Sequence, residues 1–460
     1  MITAQQVPVR IYAPTGALGA GFSRAALARA IELDPHVIAC DAGSTDSGPF
    51  ALGSGTPKLS NVAVRRDLEA LLLARDRLDV PLIIGSCATA GRDDGVDLVA
   101  GMVRDIAAEH HLSIRLARIY SDQDPADIEA AWRKGLLNEL AAAPDLTQLD
   151  FRRSHIVGMM GVEPIEAAVL DGAQVVLAGR ASDTALFAAV PHMMGADAGL
   201  TWHAAKTVEC GAACAIPPGA DSLFVHIHDD HFTVETLTPD RRLTPRSVAA
   251  HTLYENADPF LVTEPGGVLD TEKARYEAIS DFCVKVSGAV FHPAEQYTIK
   301  LEGASLVGYQ TVVIGGIRDA VVIEQLPALV PAAKAYFGSR IADLFPDVDP
   351  RSIDIGFRFY GIDAVLGTNE LPPVVAPREI GVLITITAPS QQLAHDVGTF
   401  VAHTSSHLPI PQYDGLVSTI AYPFSPPEID RGALYRFVLN HTIVPGSPTA
   451  MFRTEQETIR

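Results

Sequence analysis

Six short apolar runs recur in the first 180 residues, and each is followed by a loop rich in glycine, hydroxyl or acidic residues. The stretches between them repeat apolar residues with helical spacing, for example Val64, Leu68, Leu71 and Leu72. Alternating strands and amphipathic helices are typical of a parallel sheet with helices on both faces. The predicted strands are Arg10–Ala13, Val37–Cys40, Pro81–Ile84, Ile114–Tyr120, His155–Met160 and Gln174–Ala178.

The pattern changes near residue 220. Segments such as Leu223–Leu237 and Cys283–Phe291 alternate apolar and polar residues, as half-buried antiparallel strands do. We therefore predict an α/β protein. Its N-terminal domain, residues 1–220, holds a doubly wound, mainly parallel sheet of six βα units, and an α+β domain, residues 221–460, contributes to the interface and the site.

Composition adds a constraint on what the protein binds. The 460 residues are 48% hydrophobic and 20% charged, so a large core is available. The chain has 35 Lys and Arg against 55 Asp and Glu, a net charge of −20. Such a surface repels nucleic-acid phosphates and anionic membranes. We predict a small-molecule substrate and neither a nucleic-acid nor a membrane partner; an anionic substrate would need a local cluster of Arg and Lys.

Targeting signals and cysteine usage bear on location. Met1–Val9 has neither the basic nor the apolar region of a signal peptide, and no apolar stretch approaches the roughly 18 residues of a membrane helix. The five cysteines fit no disulfide or zinc framework. We therefore expect a cytoplasmic protein. A homo-oligomer is also expected, because metabolic enzymes of this kind are often symmetric assemblies.

Candidate chemistry lies in the loops at the carboxyl ends of the predicted strands, where parallel sheets bind ligands. The first loop carries Gly16, Gly19 and Gly21. Gly19 and Gly21 are predicted to bind a substrate anion on backbone N–H groups before a helix, although a tight turn that needs positive φ explains the same glycines. No Gly-Lys-Ser/Thr follows, which excludes a P-loop.

The loop after the second strand is the richest in functional groups. Asp41 and Asp46 are predicted to move protons, and Ser44 and Thr45 to bind substrate. Carboxylates of this kind also bind a divalent cation such as Mg²⁺, so Asp41, Asp46 and Asp93 form a candidate metal site. The alternative is that these side chains only satisfy the backbone of their own loop.

Three later loops add further candidates. Cys87 is a candidate nucleophile, although cysteine is also common as a small buried residue. Glu163 is a second candidate for proton transfer, with a first-turn helix acid as the alternative. Arg180 is the best candidate for binding a substrate carboxylate, because a cation just before a helix N-terminus is locally disfavoured. Asp183, which follows it, is interpreted as a helix cap.

The second half of the chain contributes one candidate strand. Lys300 and Glu302 alternate with apolar residues in the segment 297–304 and so share one face. We predict that Lys300 binds substrate together with Arg180. A solvated surface ion pair between Lys300 and Glu302 is the alternative.

Five segments of the chain resemble the acyclic terpene utilisation family, AtuA. They are Gly19–Phe22, Cys40–Asp46, Gly179–Asp183, Tyr297–Ala304 and Phe357–Gly361. Taken together, the resemblance covers nearly the whole chain. It implies a catabolic protein encoded among enzymes of small-carboxylate or acyl-CoA breakdown, and it carries no catalytic roles to particular residues.

From these patterns we predict a catabolic enzyme that acts on a small polar carboxylate, a lyase (hydro-lyase) or an isomerase. Asp41, Asp46 or Glu163 would move the proton, and a divalent cation would act as electrophile. One alternative is a hydrolase with Cys87 or Ser86 as nucleophile. The other is a non-catalytic subunit of an acyl-CoA-degrading complex; a small accessory subunit is a further candidate partner.

Overall fold

The computed structural model describes residues 8–219, 221–371, 377–408 and 419–460, so most of the segment inspected for a signal peptide lies outside the described residues. Two compact units make up the chain: Met1–Ser305 with Phe437–Arg460, and Leu306–Arg436. In the described part of the chain, no helix is long and apolar enough to cross a membrane.

Among the described residues, the first unit contains most of the strands and nine α-helices. Its strands are β1 Val9–Ala13, β2 Val37–Asp41, β3 Leu82–Gly85, β4 Ile114–Tyr120, β5 Leu137–Glu139, β6 Ser154–Met159, β7 Val175–Ala178, β8 Leu223–Ile227, β9 Phe232–Thr236, β10 Leu261–Glu264, β11 Gly267–Asp270, β12 Arg275–Ser280, β13 Cys283–Ser287 and β14 Val290–Pro293, then the start of β15 Ile299–Ile317. Its helices are α1 Arg24–Glu32, α2 Phe50–Ser54, α3 Asn61–Leu78, α4 Asp93–His110, α5 Pro125–Arg133, α6 Glu163–Leu170, α7 Asp183–Met193, α8 Ala198–Val208 and α9 Pro245–His251, with 3-10 turns at Phe151–Arg153 and Gly211–Cys214.

Ten strands form the main sheet of this unit, in the order β12-β13-β9-β8-β1-β2-β3-β7-β4 and then the C-terminal strand β19, Arg453–Ile459. The central strands β1, β2, β3, β7 and β4 are parallel. Neighbouring residues in a strand point to opposite faces, so Ile11 packs with α7 and α8 while Tyr12 packs with α1, α3 and α4. The predicted α/β class, with a mainly parallel N-terminal sheet, is confirmed.

One predicted strand joins a different sheet. The segment predicted at His155–Met160 forms β6, but it pairs antiparallel with β15, with Met159 opposite Lys300. Two isolated bridges link this segment to the loops that follow the parallel strands, Val157 with Asp122 after β4 and Met160 with Ala181 after β7. The free edge of β4 is covered along its whole length by β19 instead. Five of the six predicted strands therefore belong to the parallel part.

The change of pattern near residue 220 marks a switch from parallel to antiparallel pairing. Strands β8, β9, β13 and β12 extend the main sheet beyond β1 as consecutive antiparallel neighbours. A smaller sheet, β10-β11-β14, also belongs to this unit. The boundaries between the two compact units follow Ser305 and precede Phe437. The predicted boundary at residue 220 instead separates the part with alternating strands and helices from the part with mostly antiparallel strands.

The second unit has βαββαβ connectivity. It contains the end of β15, α10 Ala320–Leu344, β16 Asp354–Tyr360, β17 Ile380–Ala388, α11 Gln391–Ser405 and the start of β18 Glu428–Ile443, with 3-10 turns at Pro350–Ser352 and Gly367–Asn369. The sheet order β16-β17-β15-β18 is that of a ferredoxin-like split βαβ unit. Side chains of α10 and α11 share a core with the sheet, among them Phe337 and Val397.

Candidate active site

Three loops of the first unit meet at the carboxyl edge of the parallel strands. The loop after β3 is bound to its neighbours on both sides: Thr89 N–H donates to Ala42 O at 3.2 Å, and Ser86 N–H donates to Gly179 O at 3.0 Å. Backbone approaches are so close that a Cβ on Gly91 would lie 2.2 Å from the backbone N of Arg180. The loops after β2, β3 and β7 therefore form one continuous surface.

Replacing Gly91 by alanine tests this close packing. Gly91 has φ +67°, and the added Cβ would collide with backbone atoms that have no room to move. We expect Gly91→Ala to lower the free energy of unfolding by about 2–4 kcal/mol in urea denaturation. Gly101→Ala is the matched control, because Gly101 lies in α4 with open space around it; there alanine is expected to be neutral or stabilising by up to about 1 kcal/mol. Equal effects of the two substitutions would contradict the close approach.

The loop after β3 also stores backbone strain. Ser86, Ala88 and Thr89 have φ values of 45°, 55° and 83°, a region that residues other than glycine rarely adopt. Thr89 is β-branched, which makes its conformation the most costly of the three. Such residues persist only where the surroundings hold them, and they cluster at active sites and ligand clamps. The strained backbone therefore indicates a functional site at this edge of the sheet, independently of the charged side chains there.

A cavity of about 460 Å³, the first cavity, opens beside these loops. Four acidic residues line it, Asp41, Asp46, Asp183 and Glu255, together with Lys58. Ser44 also lines it and donates its hydroxyl to Asp46 at 2.6 Å. Asp41, Asp46 and Ser44 were predicted here from the sequence, whereas Lys58 and Glu255 were not.

Asp41 is buried at the end of β2 with one oxygen left unpaired. Its Oδ2 accepts a hydrogen bond from Gly43 N–H at 3.0 Å, whereas Oδ1 has no hydrogen-bond partner in the described part of the chain. Burial, and then the nearby charge of Asp183, raises the pKa of Asp41 well above its usual range. The protonated form is therefore favoured, and Oδ1 remains a buried oxygen without a hydrogen-bond partner.

Asp183, at the start of α7, faces the same cavity. Burial raises its pKa to about 7, because the opposing charge of Arg180 is offset by the carboxylates of Glu209, Asp46 and Glu255. Asp41 and Asp183 thus form an interacting pair of carboxyl groups, of the kind that separates acid and base roles near neutral pH. The interpretation of Asp183 as a helix cap missed this, since its proton affinity depends on residues distant in sequence.

Arg180 is buried and bound by the chain's own acids. Its Nε donates to Glu302 at 2.8 Å, and its Nη1 donates to Ala181 O at 2.8 Å and to Asp183 at 3.2 Å. Ser86 Oγ lies 3.3 Å from the same Nη1. Nε and Nη1 of the guanidinium are therefore engaged by the chain's own groups, and the binding of a substrate carboxylate by Arg180 stays a prediction.

Glu302 lies between two cations. Besides Arg180, it binds Lys300, with 2.8 Å between Nζ and Oε1. Burial opposes its charge, but Arg180 and Lys300 outweigh burial and lower the pKa of Glu302 to about 2. The alternative of a solvated surface pair is thus wrong for Glu302, which is 5% exposed, while the Lys300 side chain remains 36% exposed.

Lys300 and Glu302 line a second cavity of about 520 Å³. Phe437 and Leu439 supply an apolar part of its wall, and Thr45 contributes a buried hydroxyl group. Asp46 and Glu255 line both cavities, so the two spaces adjoin at these carboxylates.

The glycine loop after β1 does not offer its amides to a ligand. Gly19 N–H and Gly21 N–H both donate to Asp67 Oδ2, at 3.0 and 2.9 Å. Asp67 is a buried residue of α3, and Arg66 donates to its other carboxylate oxygen. The sequence predicted that these backbone N–H groups bind a substrate anion. They do bind a carboxylate, but it is the side chain of Asp67.

The other predicted catalytic groups lie away from the first cavity. Cys87 is fully buried, and burial followed by the charge of Asp41 raises the pKa of its thiol, which disfavours a nucleophilic thiolate. Ser86 is also fully buried, beside Arg180. Glu163 accepts a hydrogen bond from Tyr297 OH at 2.7 Å and lines neither cavity.

The predicted metal ligands are not brought together. Asp93 lines a third cavity, with Asp122 and Arg453, and its Oδ1 accepts from the backbone N–H groups of Ser121 and Asp122 at 3.0 Å each. Asp41 and Asp46 line the first cavity instead. In residues 8–219, 221–371, 377–408 and 419–460, no group of three or more His, Cys, Asp or Glu side chains could hold a metal ion. The structure therefore does not bring Asp41, Asp46 and Asp93 together as one metal site.

Comparison with known proteins gives one family match. Residues 88–214 match the model of the family described as acyclic terpene utilisation family protein AtuA. This range contains Ala88 and Thr89 of the strained loop after β3 and the segment Gly179–Asp183, while the other four segments that carry the resemblance lie outside it. Neither a curated protein nor a solved structure matches the chain. The match at residues 88–214 supports the AtuA-like family assignment that the sequence motifs predicted.

Proposed function

We propose that the protein is a catabolic enzyme, a lyase or an isomerase, that moves a proton on a small polar carboxylate bound in the first cavity. The observation that carries this proposal is the Asp41–Asp183 pair. A carboxyl group with a pKa of about 7 is populated in both protonation states at neutral pH, which is what a general acid–base catalyst needs. The unpaired Oδ1 of Asp41 provides the second group of the pair.

The reaction would use the two carboxyl groups in sequence. Asp183, as a carboxylate, accepts a proton from the carbon next to the substrate carboxylate, and the electrons of that C–H bond form a C=C bond. In a lyase, hydroxide leaves the neighbouring carbon with a proton from Asp41, which yields water. Transfer of a proton from Asp183 back to Asp41 restores the starting state. In an isomerase, the substrate already carries a C=C bond between the neighbouring carbon and the next one. The electrons of that bond take the proton from Asp41 at its far carbon, so the double bond moves along the chain, and proton transfer from Asp183 to Asp41 again restores the starting state.

Lysines are further candidates, beside Arg180, for binding the substrate carboxylate. Lys58 lines the first cavity, and Lys300 reaches the second with its side chain partly exposed. Volumes of about 460 and 520 Å³ suit small metabolites. The family match suggests involvement in acyclic terpene utilisation, and its description names no reaction.

A substrate panel tests this proposal. The protein is incubated with short hydroxycarboxylates and unsaturated carboxylates, and conversion is followed by proton NMR. We expect the wild-type protein to convert at least one member, and Asp183→Asn to be slower by roughly 10²–10⁴-fold. Asp229→Asn, in the exposed turn between β8 and β9, is the control and should retain the wild-type rate. Conversion by Asp183→Asn at the wild-type rate would refute the proposal.

A further inference from the structure

Four side chains of alternating charge connect the two cavities. Lys300 Nζ lies 2.8 Å from Glu302 Oε1, Arg180 Nε lies 2.8 Å from Glu302 Oε2, and Arg180 Nη1 lies 3.2 Å from Asp183 Oδ1. Lys300 lines the second cavity and Asp183 the first. We call this row the charge ladder. Its two inner members, Glu302 and Arg180, are 5% and 3% exposed, so water screens their interaction little.

Arg180 is the cation of the ladder in direct contact with Asp183. The other ionisable groups that face Asp183 come from the loop after β2, the segment after α8 and the segment after α9: Asp41, Asp46, Glu209, Cys210 and Glu255. Each of these is a carboxyl group or a thiol. Lys58 also lines the first cavity, but the hydrogen bond from a cation to Asp183 comes from Arg180. Asp183 and Glu302 both accept hydrogen bonds from the Arg180 guanidinium. The position of the guanidinium between them therefore decides how strongly the ionised form of Asp183 is stabilised.

We infer that Lys300 and Glu302 are positioning residues that act through Arg180 and set how tightly Asp183 holds its proton. Their catalytic meaning rests on the proposed function of Asp183. Glu302 orients the guanidinium by competing with Asp183 for it, and Lys300 weakens that competition by taking the other oxygen of Glu302. Lys300 and Glu302, which line the second cavity, thereby influence the proton affinity of Asp183 in the first cavity.

The ladder predicts opposite effects for substitutions at Lys300 and at Glu302. In Lys300→Met, Glu302 loses its ion pair with Lys300 and binds Arg180 more strongly. The guanidinium then moves away from Asp183, so the pKa of Asp183 should rise. Glu302→Gln releases the guanidinium toward Asp183, which should then titrate at lower pH. Each shift is expected to be roughly 0.5–1 pH unit, because the guanidinium moves between its two acceptors and so changes the strength of its charge-assisted hydrogen bond to Asp183.

The test is a carbon-13 NMR titration of the full-length protein with labelled aspartate carboxyl groups, in which Asp183→Asn assigns the Asp183 signal. Arg104→Met is the control for a generic loss of positive charge, because Arg104 pairs with Glu457 outside both cavities, and it should leave the signal unmoved. In the Arg180→Gln/Glu302→Gln background, adding Lys300→Met should no longer shift Asp183.

Shifts of the same sign in Lys300→Met and Glu302→Gln, or a Lys300 effect that persists without Arg180, would overturn the inference. Since the titration needs no substrate, it can fail while Asp183→Asn still abolishes turnover, and the reverse also holds. Once a substrate is known, the pH profile of kcat in Lys300→Met should move to higher pH together with the NMR signal. A uniform drop in kcat with an unmoved profile would indicate a merely structural role.

Discussion

Replacing Arg180 by glutamine is expected to lower the free energy of unfolding by about 3–5 kcal/mol. The substitution leaves the buried carboxylate of Glu302 with Lys300 as its remaining ionic partner, and it removes the cation that contacts Asp183. An uncompensated buried charge costs more than the net contribution of the ion pair itself. Urea denaturation of the full-length protein measures the difference.

The double variant Arg180→Gln/Glu302→Gln is the control for this prediction. It removes both buried charges and keeps side chains of similar shape, so it should be more stable than Arg180→Gln alone. Wild-type stability in Arg180→Gln, or a double variant that loses the sum of the two single effects, would show that the pair is not buried as described.

Replacing Asp183 by asparagine is expected to flatten the dependence of stability on pH. The pKa of Asp183 is about 7 in the folded protein and 3.8 in the unfolded chain. Between these values the unfolded chain has released the proton while the folded protein retains it, so wild-type stability falls as pH rises. The loss approaches about 4 kcal/mol when it is complete, near pH 8. Asparagine cannot ionise, so the variant should be more stable than the wild type at pH 8 and similar to it at pH 4.

Urea unfolding at a series of pH values from 4 to 8 measures this slope. Glu264→Gln is a useful companion, because burial raises the pKa of Glu264 to about 7 and Glu264 lines neither of the two adjoining cavities. Glu264→Gln should also reduce the dependence of the free energy of unfolding on pH, and in the double variant this reduction should add to that of Asp183→Asn. An Asp183→Asn variant with the full wild-type slope would mean that Asp183 ionises normally in the folded protein.

Local pattern was enough to predict the parallel strands and the edge that carries the site. Strands such as β2 and β3 are buried on both faces, so their sequences are short apolar runs. This pattern does not depend on which strands are their neighbours in the sheet. The loops that follow them must then meet at one edge, which is why Asp41 and Arg180 were both predicted there.

Pairing between distant segments was not predictable in the same way. Strand β6 has the same apolar pattern as its parallel neighbours, yet its partner β15 lies about 145 residues further along the chain. The edge of β4 is likewise covered by β19, from the C-terminal end. Periodicity reports burial and not the identity of the neighbouring strand.

Charges in the site depend on the same long-range contacts. Nothing near Gly19 and Gly21 in sequence reveals that Asp67 of α3 binds their amides. Glu302 carries the pattern of a solvated strand residue until β15 brings it to Arg180. The proton affinity of Asp183 likewise arises from burial and from carboxylates on three other segments. Side-chain types were therefore predictable, whereas their partners and protonation states were not.

Solvent deuterium exchange at the substrate tests acid–base chemistry at Asp183 most directly. The substrate identified from the carboxylate panel is incubated with the protein in D₂O and then recovered. We expect the wild-type protein to introduce one deuterium at the carbon next to the carboxylate, and Asp183→Asn to introduce none above the uncatalysed background. Deuterium incorporation by Asp183→Asn at the wild-type rate would contradict the assignment of proton transfer to Asp183.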